Sequence, residues 1–276
     1  MTVDTRGPNS QTEPMSWPMP VLEVVLARLA GKTCFFAVDW FKGYWQLPLH
    51  PDSREAYTIM GVDEMVEPNR VLMGQSDAVA YCQSVAQTIY GEKYGIGIEA
   101  WLGDALGSAS SEDELLDILE WLLRRAEHVG LKLNPSKCEF YTQSVVWCGK
   151  AISSEGISHD PQRLAGLIAL QPPQTAQELQ QFVCALNWMR QSIPHFTTLV
   201  APLMTLLGDV CKVADTRKKS KLARYDLLTR GWGEAHMQSF NACKDALKSM
   251  ATLAHPDADK QFCLNTDASQ DHWGAC

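Results

Sequence analysis

Ala100-Trp101-Leu102-Gly103-Asp104-Ala105-Leu106, continued by Gly107 and Ser108, is the stretch whose reading decides the fold. Apolar residues lead into a Gly-Asp pair and out of it again, the pattern of two short strands joined by a tight turn. Asp104 then falls at a hairpin tip, where a metal ion can reach its carboxylate. A second acidic residue, Asp39, closes another apolar run, Cys34-Phe35-Phe36-Ala37-Val38. That run is short, continuous and rich in bulky side chains, and it reads as a buried strand.

The rest of the chain sets bounds on this core. Its 276 residues, 46% of them hydrophobic, suffice for one large domain or two modest ones with a sizeable interior. No apolar run in the sequence approaches the ~20 residues of a membrane span, so no membrane partner is expected. The N-terminus has neither the basic start nor the apolar core of a signal peptide. Nine cysteines are scattered through apolar segments without a CxxC pair. A reduced intracellular chain, with the cysteines as small buried hydrophobes and no zinc, fits that usage. The net charge of −8 is awkward for a nucleic-acid binder, since phosphate contacts need Lys and Arg. One local exception is the stretch 212–224, with Arg217-Lys218-Lys219-Ser220-Lys221. It reads either as a contact for a nucleic-acid backbone or as a solvated linker.

In chain order, residues 1–20 are rich in Pro, Ser and Thr and read as an extended or looped segment. Residues 21–29 have helical spacing and stop before Gly31. Residues 44–49, 57–60 and 71–73 suggest strands, and 75–90 a helix. A stronger helix covers 115–126, with Ser110 or Ser111 as N-cap and Glu114 in its first turn. Gly130-Leu131-Lys132-Leu133-Asn134-Pro135-Ser136-Lys137-Cys138 precedes a hairpin signal at Val145-Val146-Trp147-Cys148-Gly149-Lys150. Asp160-Pro161 opens a further helix. From Pro172-Pro173 onward the pattern is helical, with helices at 176–190 and 232–250 flanking the basic stretch. No internal repeat is present.

Taken together these motifs resemble the reverse transcriptase of a gypsy-type LTR retrotransposon polyprotein. Val3-Asp4-Thr5-Arg6-Gly7-Pro8-Asn9 resembles that family's Val-Asp-(Tyr/Phe)-Arg-x-x-Asn, and Trp17-Pro18-Met19-Pro20 its Tyr-Pro-x-Pro. The segment from Gly130 to Cys138 is similar to its Gly-Leu-x-Leu-Asn-x-x-Lys-Cys, and 72–79 to a weaker Pro-Phe-Gly-Leu-x-Asn-Ala-Pro. Phe262-Cys263-Leu264-Asn265-Thr266-Asp267-Ala268-Ser269 resembles the opening strand of the attached RNase H-like domain. The resemblance implies an α+β fold: a palm with partial fingers over 1–158, a helical thumb-like region and basic linker over 159–231, and a truncated RNase H-like domain over 232–276.

The resemblance also implies chemistry. The family transfers nucleotides from dNTPs to a primer on an RNA or DNA template, using two Mg²⁺ or Mn²⁺ ions. Its hairpin reads aromatic-x-Asp-Asp. Here Trp101 is the aromatic, Asp104 the second Asp, and Gly103 stands where the first, metal-bridging Asp belongs. Asp39 is the separate-strand ligand. In an alternative register, that of RNA-templated RNA polymerases, Asp104 is the first carboxylate and Ala105 replaces the second. Either register leaves two carboxylates where the mechanism uses three.

Further roles follow by the same resemblance. Tyr44 is the aromatic that excludes a 2′-hydroxyl, and Met73 and Gly74 line the nucleotide. Trp147, Cys148 and Gly149 grip the primer end. Lys137 serves as a general acid toward pyrophosphate or as a phosphate contact. Asp267 is the first RNase H carboxylate, without its partners, so hydrolase or endonuclease activity is not expected of this chain alone. The other segments of such a polyprotein, protease and integrase, are the implied partners, and a cytoplasmic virus-like particle or the nucleus the implied location. The family's triphosphate-binding basic side chains lie upstream of the match, and the sequence offers no evident substitute. A disabled copy is thus expected, either a polymerase impaired at Gly103 or a non-catalytic remnant that keeps residual nucleic-acid binding. A standalone nuclease is a distant third reading, because two-metal cleavage needs more carboxylates.

Overall fold

The computed structural model describes residues 3–250, 252–255, 261, 266–268 and 273–275. In chain order its helices are α1 (Arg6–Asn9), α2 (Leu22–Ala27), α3 (Gly43–Gln46), α4 (Pro51–Arg54), α5 (Ala78–Tyr90), α6 (Glu112–Val129), α7 (Pro161–Ile168), α8 (Ala176–Trp188), α9 (Phe196–Ala214), α10 (Lys219–Leu222) and α11 (Glu234–Lys248). The strands are β1 (Cys34–Asp39), β2 (Ile59–Met60), β3 (Met65–Val66), β4 (Ile98–Trp101), β5 (Asp104–Ala109), β6 (Glu139–Thr142), β7 (Ser144–Trp147), β8 (Lys150–Ser153), β9 (Gly156–His159), β10 (Thr266–Ala268) and β11 (Trp273–Ala275).

β1 is buried on both faces, and its alternation shows why. Cys34, Phe36 and Val38 point into a core shared with α5 and α6. Phe35 and Ala37 point the other way, into a core shared with α2 and with Val145, Trp147 and Ile152. The sheet order β4-β5-β1-β6 puts β1 and β5 in the middle, antiparallel. Gly107 of β5 lies directly under Phe36, where a Cβ would sit 2.1 Å from the ring carbons. This strand needs glycine at 107 for close approach.

The helical half has its own core, in which Leu179, Phe182, Leu186, Leu203, Leu206 and Phe240 meet. α8 begins with a capping box, Thr175 accepting from the Glu178 amide and Glu178 from the Thr175 amide. α11 packs on α9 in this same core, so the core runs across residue 232, where the sequence reading draws its last domain boundary. The mixed palm and thumb-like helical organisation agrees with the α+β class expected from the sequence.

Several local expectations are overturned. Residues 44–49 form no strand. Lys42 turns left-handed (φ 52°), and the chain enters the short helix α3 instead of extending β1. Gln46 holds that turn, its side-chain amide donating to the Phe41 and Lys132 carbonyls. Residues 71–73 are extended but unpaired as a strand. Val71 N–H donates to the Leu47 carbonyl beside an isolated bridge between Pro48 and Arg70. The 19-residue helix α9 falls between the two helices expected at 176–190 and 232–250, and it runs through Pro202. Its apolar positions Val200, Leu203, Leu206 and Val210 nonetheless bury at helical spacing. By length and composition α9 could cross a membrane, contrary to the expectation that no run approaches that limit, but here it is a central helix of the thumb-like core.

The basic stretch is not a free linker. Leu222 and Leu227 are fully buried, and the Ala176 amide donates to the Tyr225 carbonyl. The cysteines are also less uniform than expected. Cys34, Cys82 and Cys243 are buried, Cys138, Cys148 and Cys211 are half-buried, and Cys184 is exposed.

Candidate active site

β1 and β5 bring the two sequence-predicted carboxylates together. Asp39 and Asp104 are directly opposed at the ends of the paired strands. Opposed residues on neighbouring antiparallel strands share a face, with Cβ atoms ~5 Å apart. Both project on the side of Phe35 and Leu106, toward a cavity of about 520 Å³. Tyr44, Met73, Lys137 and Gly103 line the same cavity. Six positions selected from the sequence therefore converge on one concave surface. Lys137 reaches it from the turn 135–137, which is docked on β1 by the Asn134 amide donating to the Asp39 carbonyl. Its Nζ lies 3.2 Å from Asp39 Oδ2.

The electrostatics are those of a paired acidic site. Desolvation by surrounding protein and then the Asp39 charge push Asp104 up to about 6, while Lys137 opposes the shift. Because Asp104 meets solvent at the cavity mouth, the facing Asp39 is the cause that the geometry carries most directly. Burial raises Tyr44, and burial together with the Asp104 charge pushes the Cys82 thiol up to about 11. Two facing carboxylates suit one divalent cation, with oxygen as the preferred donor. Among the described residues no third Asp, Glu, His or Cys joins them. As a donor set, the two carboxylates fit one such ion.

The hairpin turn explains what Gly103 is not for. Trp101 pairs with Asp104, leaving Leu102 and Gly103 as the two turn residues. A turn of this length with one left-handed residue at its first position favours glycine there. That position is Leu102, at φ 58°, and Gly103 does not adopt positive φ. A Cβ at 103 would meet only the Trp40 side chain, at 3.6 Å, which is ordinary contact. Neither backbone nor packing demands glycine at 103.

Residues that the sequence reading did not single out hold the site in place. Gln83, fully buried in α5, donates to the Ala100 carbonyl (3.1 Å) and accepts from the Leu102 amide (2.8 Å). A polar residue on the buried face of an otherwise apolar helix was the available signal. Trp40 N–H donates to the Gly103 carbonyl at 2.9 Å, and its indole N–H donates to Tyr90 OH at 2.8 Å. Gly74 does not line the cavity wall. Its carbonyl accepts from Thr5 Oγ1 and Asn9 Nδ2, both at 2.8 Å, while Asn9 Oδ1 accepts from the Ser76 amide. The N-terminal motif is thus the clamp on the loop beside Met73.

Trp147, Cys148 and Gly149 lie on the β7–β8 hairpin rather than in the cavity. Trp147 and Gly149 are buried, and of the left-handed turn at 148–149 only Cys148 is half-buried. Burial and then the Asp104 charge push the Cys148 thiol up to about 12, which places this turn within the field of the acidic pair. Asp267 falls in β10, paired with Gly274 of β11. Its flanking motif residues Phe262, Cys263, Leu264, Asn265 and Ser269, and the Asp267 side chain, lie outside the described residues.

Known proteins resemble this chain in sequence and in fold. Residues 1–153 match a family profile described as reverse transcriptase (RNA-dependent DNA polymerase). Residues 232–276 match one described as an RNase H-like domain found in reverse transcriptase. The Tf2-3 and Tf2-7 transposon polyproteins of Schizosaccharomyces pombe are each 27% identical over 275 residues, which is all of this chain and 19% of theirs. The chain therefore spans about a fifth of these relatives. A foamy viral protease-reverse transcriptase solved with double-stranded DNA superposes with a TM-score of 0.83 at 18% identity, covering 98% of this chain and 44% of that one. A foamy viral protease-reverse transcriptase solved with an RNA/DNA hybrid gives 0.79 at 18% identity, covering 93% and 33%. At that identity the likeness is one of fold.

Proposed function

The chain belongs to the reverse transcriptase family, and on that premise we propose that it is the RNA-directed DNA polymerase portion of a gypsy-type LTR retrotransposon polyprotein, with its catalytic centre at Asp39 and Asp104. The observation that carries this reading is the direct opposition of the two carboxylates over a cavity lined by Tyr44 and Lys137. Asp39 and Asp104 would hold a Mg²⁺ or Mn²⁺ ion, which when bound lowers the pKa of an attacking hydroxyl and offsets charge on the phosphate. Tyr44 walls the space beside the sugar, so an extra 2′-oxygen would clash with its ring. Lys137, 3.2 Å from Asp39, would stand beside a departing pyrophosphate as a general acid or a phosphate contact. Gln83 and Trp40 fix the hairpin, and Asn9 fixes the Gly74 loop, so the nucleotide would meet a preformed site.

This copy is impaired in our reading. Gly103 supplies no oxygen where the family has an acidic residue, and nothing local requires glycine there. Metal Lewis acidity contributes several kcal/mol, and ~1.4 kcal/mol is tenfold in rate, so the loss amounts to about three decades or more. The same observation favours a second reading, a template–primer binder without catalysis. Binding partners in either case are an RNA or DNA template with primer, dNTPs, and the protease and integrase of a polyprotein. The proposed setting is a virus-like particle or the nucleus, and the proposed division is palm, thumb-like region and RNase H-like remnant.

Primer extension on an RNA template separates the readings. The polymerase reading expects extension from Gly103→Asp and little from the unaltered chain. Template–primer binding by both proteins with extension by neither would support the binder. Absence of template–primer binding would contradict both.

A further inference from the structure

Four charged side chains line the central cavity: Asp39, Asp104, Lys137 and Lys42. Lys137 is committed to Asp39 at 3.2 Å. Lys42 is not committed. Among the described residues its ammonium makes no ion pair and no side-chain hydrogen bond. It rests 5.4 Å from the centres of two rings, Phe41 and Trp45, which are 44% and 40% exposed. Such contacts are weak at exposed sites. They orient the ammonium without tying it down.

The backbone around Lys42 is built to keep it there. Its φ of 52° is a left-handed conformation that lysine seldom adopts, and it stops β1 from running on. The Lys42 carbonyl accepts from the Trp45 amide at 2.8 Å, closing the turn. Gln46 fastens the turn to the neighbouring segment, donating to the Phe41 carbonyl at 2.7 Å and accepting from the Lys132 amide at 2.7 Å. The result is a positioned, unpaired cation on the wall of a cavity whose floor is acidic.

We propose that Lys42 receives the β- and γ-phosphates of the incoming nucleoside triphosphate. The inference rests on the polymerase reading and deepens it. A triphosphate carries its negative charge away from the sugar, and the carboxylate end of the cavity repels that tail unless a cation offsets it. Lys137 is ion-paired with Asp39 in this structure, so Lys42 is the cavity lysine that has no such partner among the described residues and is placed to meet the tail. A nucleic-acid backbone is the competing anion, but Lys42 lines the same cavity as Tyr44 and Met73.

The test is equilibrium titration of the purified chain with dTTP, inorganic tripolyphosphate and thymidine, with and without a dideoxy-terminated template–primer, for the unaltered protein, Lys42→Gln and Lys42→Arg. The Gly103→Asp background is run in parallel. A charge-assisted contact gives Lys42→Gln a ten- to hundredfold loss for dTTP and tripolyphosphate, roughly the ~1.5–3 kcal/mol of such a bond. Thymidine binding stays unchanged, and Lys42→Arg stays within about threefold of the unaltered protein. Thermal melting of each variant confirms that it is folded. Equal dTTP affinity in folded Lys42→Gln overturns the inference and leaves the polymerase reading standing. A Lys42→Gln loss confined to template–primer affinity also overturns it, in favour of a backbone contact. If the unaltered chain binds neither dTTP nor template–primer, both the inference and the polymerase reading fall.

Discussion

Replacing Gln83 by Leu should loosen the hairpin that carries Asp104 while leaving the core filled. The side chains are close in volume, so little cavity energy enters. What is lost is specific. The Gln83 amide no longer donates to the Ala100 carbonyl, and the Leu102 amide loses its acceptor. The Gln83 site is fully buried, so water cannot easily replace either partner. An orphaned buried polar group costs about 1–3 kcal/mol, which for two groups comes to ~2–6 kcal/mol if the turn cannot relax. Leu102 is already held at φ 58°, and without its partner the turn is free to abandon that conformation. The assay is urea unfolding of the unaltered and Gln83→Leu proteins, with Mn²⁺ affinity measured on each folded protein. We expect a midpoint shift equivalent to at least ~2 kcal/mol and weaker Mn²⁺ binding. A change under about 0.5 kcal/mol with unaltered Mn²⁺ affinity would refute the claim that Gln83 holds the turn.

Three further outcomes follow from packing and charge. Gly107→Ala drives a Cβ into the Phe36 ring, where it would sit 2.1 Å from the ring carbons, so urea unfolding should show a loss of ~1–3 kcal/mol or more. Gly103→Ala has room against Trp40 and should change stability by less than ~1 kcal/mol in the same assay. His159 is buried beside Lys150, 3.4 Å from its Nζ, and burial and then that charge lower it from 6.5 to about 4. The unfolded chain therefore takes up this proton near pH 6.5, where the folded chain refuses it. Stability is full above pH 6.5 and falls as pH drops toward 4, by up to ~3 kcal/mol at 1.36 kcal/mol per unit. Chemical denaturation at stepped pH should show this slope in the unaltered protein and its absence in His159→Gln.

The palm was legible because its signals are local and periodic. Cys34 to Asp39 alternates between two cores, and the Trp101–Asp104 turn is a two-residue connection with strands on either side. The opposition of Asp39 and Asp104 follows once both strands are recognised, and Lys137 comes with the turn that docks on Asp39. The stretch after Asp39 misled the reading because Lys42 turns left-handed, and no residue preference announces that for lysine. α9 has Pro202 in its interior, and its stability comes from burial against α8 and α11 rather than from local preference. Thr5, Asn9 and Gln83 act across 65 to 69 residues or through a buried face, distances that periodicity does not reach. The legible part of the site was its chemistry, and the illegible part was the set of hydrogen bonds that hold it in position.

The central claim is that Asp39 and Asp104 form a metal site lacking one ligand at position 103. Mn²⁺ titration by electron paramagnetic resonance tests it most directly, on the unaltered chain, Gly103→Asp, and Gly103→Asp with Asp39→Asn. The account predicts one weakly bound ion in the unaltered chain. It predicts at least about tenfold tighter binding, or a second ion, in Gly103→Asp, since ~1.4 kcal/mol of added attraction gives tenfold. Asp39→Asn should abolish that gain. Identical Mn²⁺ binding by the unaltered and Gly103→Asp proteins, or a gain that survives Asp39→Asn, would contradict it.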